Sequence, residues 1–409
     1  MTSAATDQAF EPLTGGVTAP IGFRAGAFSA GLKKAGKLDV AILAADREVP
    51  AAAVYTINAV AAAPVVVSRS HTAHGMVRAA VINSGNANAC TGARGVADAR
   101  EMAAAVGRAL ACDAASVVVA STGVIGVPLP LPQVLAGIAG AVAALEPAGG
   151  PSAAEAIRTT DTFAKECAVA LRVAGHEYRV GGMAKGSGMI QPNMATMLAF
   201  VTTDAPLTPG ACDAVLRAAT ARTFNRITVD SDTSTNDMCL LLASGAAGGD
   251  PIGAVGAGYE AVAAAVHHVC GELARMIVRD GEGATKFVEV TVRGAASERD
   301  AALAAFAIAN SPLCKTAIFG GDANWGRVAM AIGKSGAVVD PGAFDVVFAG
   351  IPTCVAGAAI AFDEDAAAEA LGKPDVDVLV DLHVGTESAT VWTCDLSYDY
   401  VRINGEYRS

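Results

Sequence analysis

The sequence predicts an α/β protein, and two observations support this prediction. Short runs rich in β-branched residues alternate with Ala-rich segments of helical length along the 409 residues. Hydrophobic residues make up 53% of the chain and charged residues only 17%, which is the reverse of the composition of a disordered chain. At about 150 residues per domain, the length predicts two or three domains with buried cores.

Each predicted element follows from its local pattern. Runs of Val, Ile and Ala bounded by turn residues predict strands at Val40–Ala45, Ala52–Ile57, Ala63–Ser68, Val77–Asn83, Ser116–Val124, Phe344–Phe348, Val376–Val384 and Ala389–Cys394. Ala-rich segments have good helix propensity and predict helices at Gly95–Leu110, after Gln133, and at Ala153–Thr160, Pro209–Thr223, Tyr259–Val278 and Ala296–Ala309.

Composition excludes several classes of protein. The formal net charge of −11 and the absence of a basic block argue against binding to a nucleic-acid backbone, which requires clustered Lys and Arg. The nine Cys residues include no C-x-x-C pair, and this odd, scattered set predicts reduced thiols rather than disulfides or a metal site.

Location is predicted from two segments. The first twelve residues, MTSAATDQAFEP, lack the basic and apolar regions of a secretory signal, so we expect a cytoplasmic protein. The uncharged stretch from Ala114 to Leu145 is long enough to cross a bilayer. Pro128, Pro130 and Pro132 divide it into a strand and a helix that are both too short, so no membrane association is expected.

Three motifs suggest ligand binding but fit common structural roles better. The Gly-rich stretch from Gly181 to Gly188 and the segment from Gly326 to Ser335 could hold phosphate, but neither has the P-loop spacing. His267 and His268 precede Cys270 and suggest zinc. Adjacent residues on a helix point about 100° apart, which makes them awkward co-ligands.

Thr196 is the strongest candidate for a catalytic residue in the sequence. It follows a Gly-rich, Pro-interrupted segment and precedes an apolar run. If this loop strains the Ala195–Thr196 peptide, the hydroxyl can attack the preceding carbonyl, and water can then cut the resulting ester. The freed Thr would carry nucleophile and base together, because an α-amine with a pKa of about 7.7–8.0 can accept the hydroxyl proton. An ordinary loop Thr entering a strand is the alternative on composition alone.

Eight blocks of sequence resemble the ornithine acetyltransferase family of arginine biosynthesis, also known as glutamate N-acetyltransferase. In chain order they are VINSGNANACTG, STGVIG, TTDT, GSGMIQPNMATMLAF, TFNRITVDSDTSTND, RDGEGATK, ANSPLCKTAIFGGDANWGR and DLSYDYVRINGEYRS. The resemblance implies an N-terminal-nucleophile enzyme of the αββα type, like the DmpA aminopeptidase and ArgJ. Mixed β-sheets are then stacked and flanked by helices, and both cleavage products share one core.

The resemblance also implies roles for individual residues. Cleavage between Ala195 and Thr196 would give chains 1–195 and 196–409, with Thr196 as the nucleophile. Thr122 and Gly123 would form the oxyanion hole. The residues that match substrate-binding positions, with the choice between Thr159 and its neighbours in the TTDT block left open, are Thr159, Lys185, Thr196, Glu282, Asn404 and Ser409. Gln191 stands where many family members have His and cannot titrate.

The implied reaction is a ping-pong transfer of the acetyl group from N2-acetylornithine to glutamate, releasing ornithine and then N-acetylglutamate. No metal or cofactor is expected. Acetyl-CoA as a second donor, which would make the enzyme bifunctional, stays open. Two copies of each cleaved chain are expected to assemble as a heterotetramer.

Two other readings of the sequence remain. A hydrolase of the same architecture, an aminopeptidase or amidase, would pass the acyl group to water instead of glutamate. A noncatalytic small-molecule or phosphate-binding module would remain one intact 40.7 kDa polypeptide.

Overall fold

The computed structural model describes residues 10–33, 36–173, 175–191 and 197–406. Within these ranges the chain forms fifteen strands and eleven α-helices. The strands are β1 Glu11–Leu13, β2 Phe23–Phe28, β3 Val40–Tyr55, β4 Met76–Asn86, β5 Val117–Val124, β6 Lys165–Val173, β7 His176–Lys185, β8 Leu198–Thr203, β9 Met238–Ala243, β10 Phe287–Ala295, β11 Asp345–Phe348, β12 Ile351–Val355, β13 Ala358–Ala359, β14 Asp375–Asp381 and β15 Glu387–Cys394. The helices are α1 Ala63–Thr72, α2 Gly92–Leu110, α3 Leu131–Ala143, α4 Gly150–Ala156, α5 Pro209–Arg222, α6 Ala257–Arg279, α7 Glu298–Ala309, α8 Pro312–Phe319, α9 Trp325–Gly333, α10 Glu364–Leu371 and α11 Tyr398–Glu406.

The larger sheet has nine strands and mixed direction. Its order is β1-β6-β7-β8-β9-β3-β4-β5, and β2 pairs with β3. Strands β8 and β9 are parallel to each other, whereas β8 is antiparallel to β7 and β9 is antiparallel to β3. Two strands that follow the predicted cleavage position therefore lie between strands that precede it.

This sheet folds over on itself to make the predicted four layers. Residues alternate between its two faces, as the two-residue period of a strand requires. In β3, Ala41 and Leu43 share a core cluster with Leu198 and Phe200 of β8, so the β2–β5 half faces the β6–β9 half. The outer face of the first half packs on α2 and α3, and the outer face of the second half packs on α5 and α6. The αββα architecture is confirmed.

One long strand replaces two predicted strands. The predicted strand Val40–Ala45 and the first four residues of the predicted strand Ala52–Ile57 both belong to β3, which continues through the polar residues between them and ends at Tyr55. Its pairing with β4 shifts register between Ala44 and Val49, where three consecutive residues are exposed. A bulge of this kind bends a strand without ending it, and beyond the bend β3 pairs with β9.

The strand predicted at Ala63–Ser68 is wrong, because these residues begin helix α1. Three consecutive Val residues favour a strand by propensity. Pro64, however, is tolerated in the first turn of a helix, and Ser68 both donates to and accepts from the backbone of Val119 in β5. Tertiary packing of the helix on β5 therefore overrides the local preference.

The remaining strands form a second, six-stranded sheet in the order β13-β12-β11-β14-β10-β15. Apolar side chains of β10 and β14 pack against α7, α9 and α10 in a core cluster of their own. Strand β15 also connects to the first core, because Trp392 and Cys394 pack with residues of α6. The predicted strands and helix of this region are confirmed, with changed boundaries.

Two segments bear on the predicted absence of membrane spans. The uncharged stretch beginning at Ala114 is divided between β5 and α3, as predicted from its prolines. Helix α6 is long and apolar enough to span a bilayer, but 61% of its most apolar window is buried inside the protein. Burial of this extent is typical of a core helix.

Replacing Phe200 with Ala should lower the free energy of unfolding by about 3–5 kcal/mol, because its fully buried ring fills the space between the two halves of the sheet. Equilibrium urea unfolding measures this change. Val255→Ala is the control, since that side chain is 85% exposed and its truncation should cost less than about 0.5 kcal/mol. Equal effects of the two substitutions would contradict the assigned packing.

Candidate active site

A cavity of about 210 Å³ lies where the ends of β5 and β7 meet the segment before β9, the loop after α6 and helix α11. Its lining contains all six of the predicted site residues that the structure describes. These are Thr122, Gly123, Thr159, Lys185, Glu282 and Asn404. Ala195, Thr196 and Ser409 lie outside the described residues, so their predicted roles stay predictions.

The end of β5 is shaped by close backbone contact. Gly123 has φ +133°, a conformation that L side chains rarely adopt, and pairs with Gly85 of β4. A Cβ at position 123 would lie 2.4 Å from the carbonyl carbon of Gly85, so only glycine fits. Asn236 ties this end to the segment before β9, because its side-chain amide donates to the carbonyl oxygens of Ala87 and Ser121 at 2.7 and 2.9 Å.

Lys185 ends strand β7 as a buried cation. Its Nζ donates to Thr122 Oγ1 at 3.4 Å, which brings the predicted oxyanion-hole hydroxyl to a predicted substrate-binding lysine. Burial lowers the pKa of the Lys185 ammonium, and the charge of Asp161 is the largest influence in the opposite direction. This site can therefore hold an anion beside the position where Thr122 would stabilise an oxyanion.

Glu282 and Asn404 also line the cavity. Asn404 Nδ2 donates to Glu282 Oε2 at 2.9 Å, and the Glu282 backbone N–H donates to the Ser187 carbonyl at 2.9 Å. Gly188 allows this approach, since a Cβ there would lie 2.4 Å from the Glu282 carboxyl carbon. The Glu282 carboxylate lines the cavity and can accept hydrogen bonds from a ligand ammonium.

The TTDT block divides its residues between two sides. Thr159 and Thr160 line the cavity, and the Thr160 and Ser187 hydroxyls lie 2.6 Å apart. Thr162 instead hydrogen-bonds to Asp280, through both its backbone N–H and its hydroxyl. The geometry thus narrows the choice of cavity-lining threonine to the first two.

The start of β8 lies against a buried carboxyl. The Met197 backbone N–H donates to Asp237 Oδ1 at 3.1 Å, and Leu198 pairs with Lys185 on one side and Met238 on the other. Asp237 is 1% exposed, and its Oδ2 has no hydrogen-bond partner in the described part of the chain. Burial raises its pKa well above the usual range, opposed by the Met197 N–H and the Lys185 charge.

Several residues of the site were not singled out from sequence. Asp161, Asn236 and Asp237 stand in the quoted TTDT and TFNRITVDSDTSTND blocks, but their partners are distant along the chain. Asp230 accepts the backbone N–H groups of Met189 and Ile190 and so fixes the segment after Lys185. These residues stand in blocks rich in polar residues within a mostly apolar chain, and this local enrichment was the sequence feature that could have identified them.

The other motifs named in the sequence analysis have the following places in the fold. Gly181 and Gly182 lie inside β7 and Gly326 inside α9, so these glycines do not build phosphate loops. His267 and His268 are adjacent on α6. Among the described residues, no group of three His, Cys, Asp or Glu side chains could hold a metal ion. Gln191 accepts a hydrogen bond from the Thr228 hydroxyl at 2.8 Å.

The chain matches known proteins over nearly its whole length. The ArgJ family model matches residues 24–409. The arginine biosynthesis bifunctional protein ArgJ of Symbiobacterium thermophilum is 55% identical over 98% of this chain and 100% of that protein, and that of Geobacter sulfurreducens is 50% identical over 95% and 99%. A crystal structure of ArgJ from Bacillus halodurans is 45% identical, with a TM-score of 0.50, covering 51% of this chain and 98% of that one. The chain belongs to the ArgJ family.

Proposed function

We propose that this protein is an acyltransferase of arginine biosynthesis that moves the acetyl group of N2-acetylornithine to glutamate through an ester on Thr196. Thr196 becomes the nucleophile after the chain cuts itself between Ala195 and Thr196. The observation that carries the proposal is convergence: six predicted residues from five separate segments line one cavity. Membership of the ArgJ family supports the same reaction class.

Self-cleavage would proceed by attack of the Thr196 hydroxyl on the Ala195 carbonyl. The C–O bond forms, the C–N bond breaks, and the hydroxyl proton goes to the freed nitrogen. Water then hydrolyses the ester, leaving a carboxyl on Ala195 and a free amine on Thr196. The products have 195 and 214 residues.

Acetyl transfer would then take two steps through Thr196. Its α-amine accepts the hydroxyl proton as Oγ attacks the acetyl carbonyl, and the proton passes to the departing α-amine of ornithine. The glutamate amine attacks the acetyl-Thr ester in the second step and restores the free hydroxyl. Thr122 Oγ1 and the Gly123 N–H would donate to the oxyanion in both steps.

The cavity walls supply complementary charges for an amino-acid substrate. Lys185 would pair with the substrate carboxylate, and the Glu282 carboxylate, held by Asn404, would receive an ammonium. Thr159 also lines the cavity, where its hydroxyl would orient the substrate. Ser409 completes the predicted binding set.

The size of the cavity favours amino-acid substrates over a large cofactor. Its 210 Å³ is below the range of about 300–1,000 Å³ that is typical of pockets for drug-sized ligands. If acetyl-CoA also serves as donor, as the name "bifunctional" of the relatives suggests for them, most of the cofactor would lie outside this cavity. We propose no metal or cofactor for the transfer itself.

Assembly and location belong to the same proposal. The cleaved enzyme is proposed to be cytoplasmic and to contain two copies of each chain. The two chains stay together because β8 and β9, after the cut, pair with β7 and β3, before it. The hydrolase alternative uses the same nucleophile and differs only in the acceptor, whereas the noncatalytic module requires an uncut chain.

Mass spectrometry tests the central step. Brief exposure of the enzyme to N2-acetylornithine should add one acetyl group to the peptide that begins Thr196-Met-Leu-Ala. Glutamate should then remove the group and yield N-acetylglutamate. Loss of the adduct at an equal rate without glutamate would identify a hydrolase, and an adduct on another residue would reject Thr196 as nucleophile.

A further inference from the structure

Beneath the cavity lies a buried ion cluster, which we define as Asp161, Lys165 and Asp280. Lys165 is fully buried, and its Nζ lies 2.7 Å from Asp161 Oδ1 and 2.5 Å from Asp280 Oδ2. Neither Lys165 nor the two carboxylates line the cavity. Removing ions from water is costly, so a buried cluster that adds no contact to substrate is weak evidence for stability alone.

Each carboxylate of the ion cluster holds cavity segments through their backbone. Asp161 Oδ1 accepts the Gly186 N–H at 2.7 Å, and Oδ2 accepts the Thr159 N–H at 2.9 Å. Gly186 directly follows Lys185. Asp280 accepts the Thr162 N–H instead and stands two residues before Glu282. Asp161 is thus the member of the cluster that connects Thr159 with Lys185.

Asp161 and Asp280 also differ in their electrostatic effect on Lys185. The fully buried Lys185 loses hydration, which lowers its pKa, and Asp161 is the largest influence that raises it again. Asp161 itself has a strongly lowered pKa, because the charges of Lys185 and Lys165 outweigh its burial. The other charged or titratable groups that act on Lys185 are Lys165, which lowers its pKa, Glu282 and Asp237, which raise it, and Lys33 at longer range.

We propose that Asp161 is a positioning residue that keeps Lys185 a cation, so that Lys185 can receive the carboxylate of the amino-acid substrate. This inference rests on the proposed function and identifies a determinant of its specificity. Asp161 holds the backbone of Gly186, directly after Lys185, and does not itself line the cavity, whereas Lys185 does.

The sign of the pH effect follows from the charges. Lys185 binds a carboxylate only while protonated, so KM rises as pH increases through the Lys185 pKa. Loss of the Asp161 charge lowers that pKa further, and the rise in KM must begin at a lower pH. Loss of Lys165 removes a repelling cation, and the rise must begin at a higher pH.

The test compares Asp161→Asn with Asp280→Asn, using N2-acetylornithine and its carboxamide analogue, which lacks the carboxylate. Loss of an opposite charge nearby changes a pKa by about 1–3, so Asp161→Asn should raise KM for N2-acetylornithine by about fivefold or more at a pH equal to the wild-type Lys185 pKa. Its kcat should change much less. The preference for carboxylate over carboxamide should fall in Asp161→Asn and persist in Asp280→Asn.

Asp280→Asn is the matched control, and it distinguishes an effect on the charge of Lys185 from a general loss of stability. Both variants remove one anionic partner of Lys165 and should lose thermal stability. If Asp161→Asn weakens both ligands equally, or leaves the pH at which KM rises unchanged, Asp161 is only structural and the inference is wrong. If Asp161→Asn does not fold, Lys165→Met gives the opposite test, and a pH onset that fails to move upward overturns the inference.

Failure of the inference is distinguishable from failure of the proposed function. The wild-type protein is first assayed for the acetyl adduct on Thr196. Without that adduct the proposed function fails. With it, an unchanged ligand preference in Asp161→Asn rejects only the role of Asp161.

Discussion

Thr196→Ala should remain a single 40.7 kDa polypeptide and should have no acetyl transfer activity. Alanine has no hydroxyl to attack the Ala195 carbonyl, so the peptide bond stays intact and no nucleophile is formed. The wild-type protein should instead give two bands of about half that mass on a denaturing gel. Glutamate acetylation from N2-acetylornithine measures the loss of activity.

Thr196→Ser provides the matched control for this prediction. Serine retains a hydroxyl and, once freed, an α-amine, so this variant should still cut itself and transfer acetyl groups, at changed rates. N-terminal sequencing should find Thr-Met-Leu-Ala in the wild type and Ser-Met-Leu-Ala in the control. Two bands from Thr196→Ala would mean that another group cleaves the chain.

Thr122→Ala is expected to have the second largest effect. Loss of one oxyanion donor typically lowers kcat by roughly 10²–10³-fold, since the hydrogen bond is made mainly to the charge that develops in the transition state. Steady-state kinetics with N2-acetylornithine and glutamate would measure it. If self-cleavage uses the same donor, the uncut precursor should also accumulate on a denaturing gel.

Two comparisons distinguish a role of Thr122 toward the oxyanion from a role in substrate binding or structure. Thr122→Ser keeps the hydroxyl and should retain most of the activity. Thr122 also accepts a hydrogen bond from Lys185 Nζ, so its loss can disturb substrate binding. A rise in KM with unchanged kcat in Thr122→Ala would place the hydroxyl in substrate binding and reject its role toward the oxyanion.

The sequence was most informative where local pattern and packing agree. Continuous apolar runs in β4 and β5 match strands that are buried on both faces, and the Ala-rich segments at α2 and α6 are helical as predicted. It failed at Val65 and its neighbours, because β propensity is local whereas the docking of α1 on β5 is not. The bulge in β3 was missed for the same reason.

The site was predictable only in part. Six residues that were singled out by resemblance to a family line one cavity, although no local pattern joins Thr122 to Glu282. The resemblance gave no reason to single out Asp161 or Asp237, whose importance comes from burial and from contacts with distant segments. Such carboxylates look in sequence like ordinary turn residues, and only the folded chain reveals their surroundings.

The position of β9 between β8 and β3 limits how early the large sheet can form during synthesis of the chain. A ribosome that has made residues 1–195 has produced both sides of a gap in the large sheet but not the strands that fill it. The large sheet can be completed only after residue 243 has left the ribosomal exit tunnel, because β9 ends at that residue. If the proposed scission depends on the closed sheet, it cannot occur before residue 243 has been made.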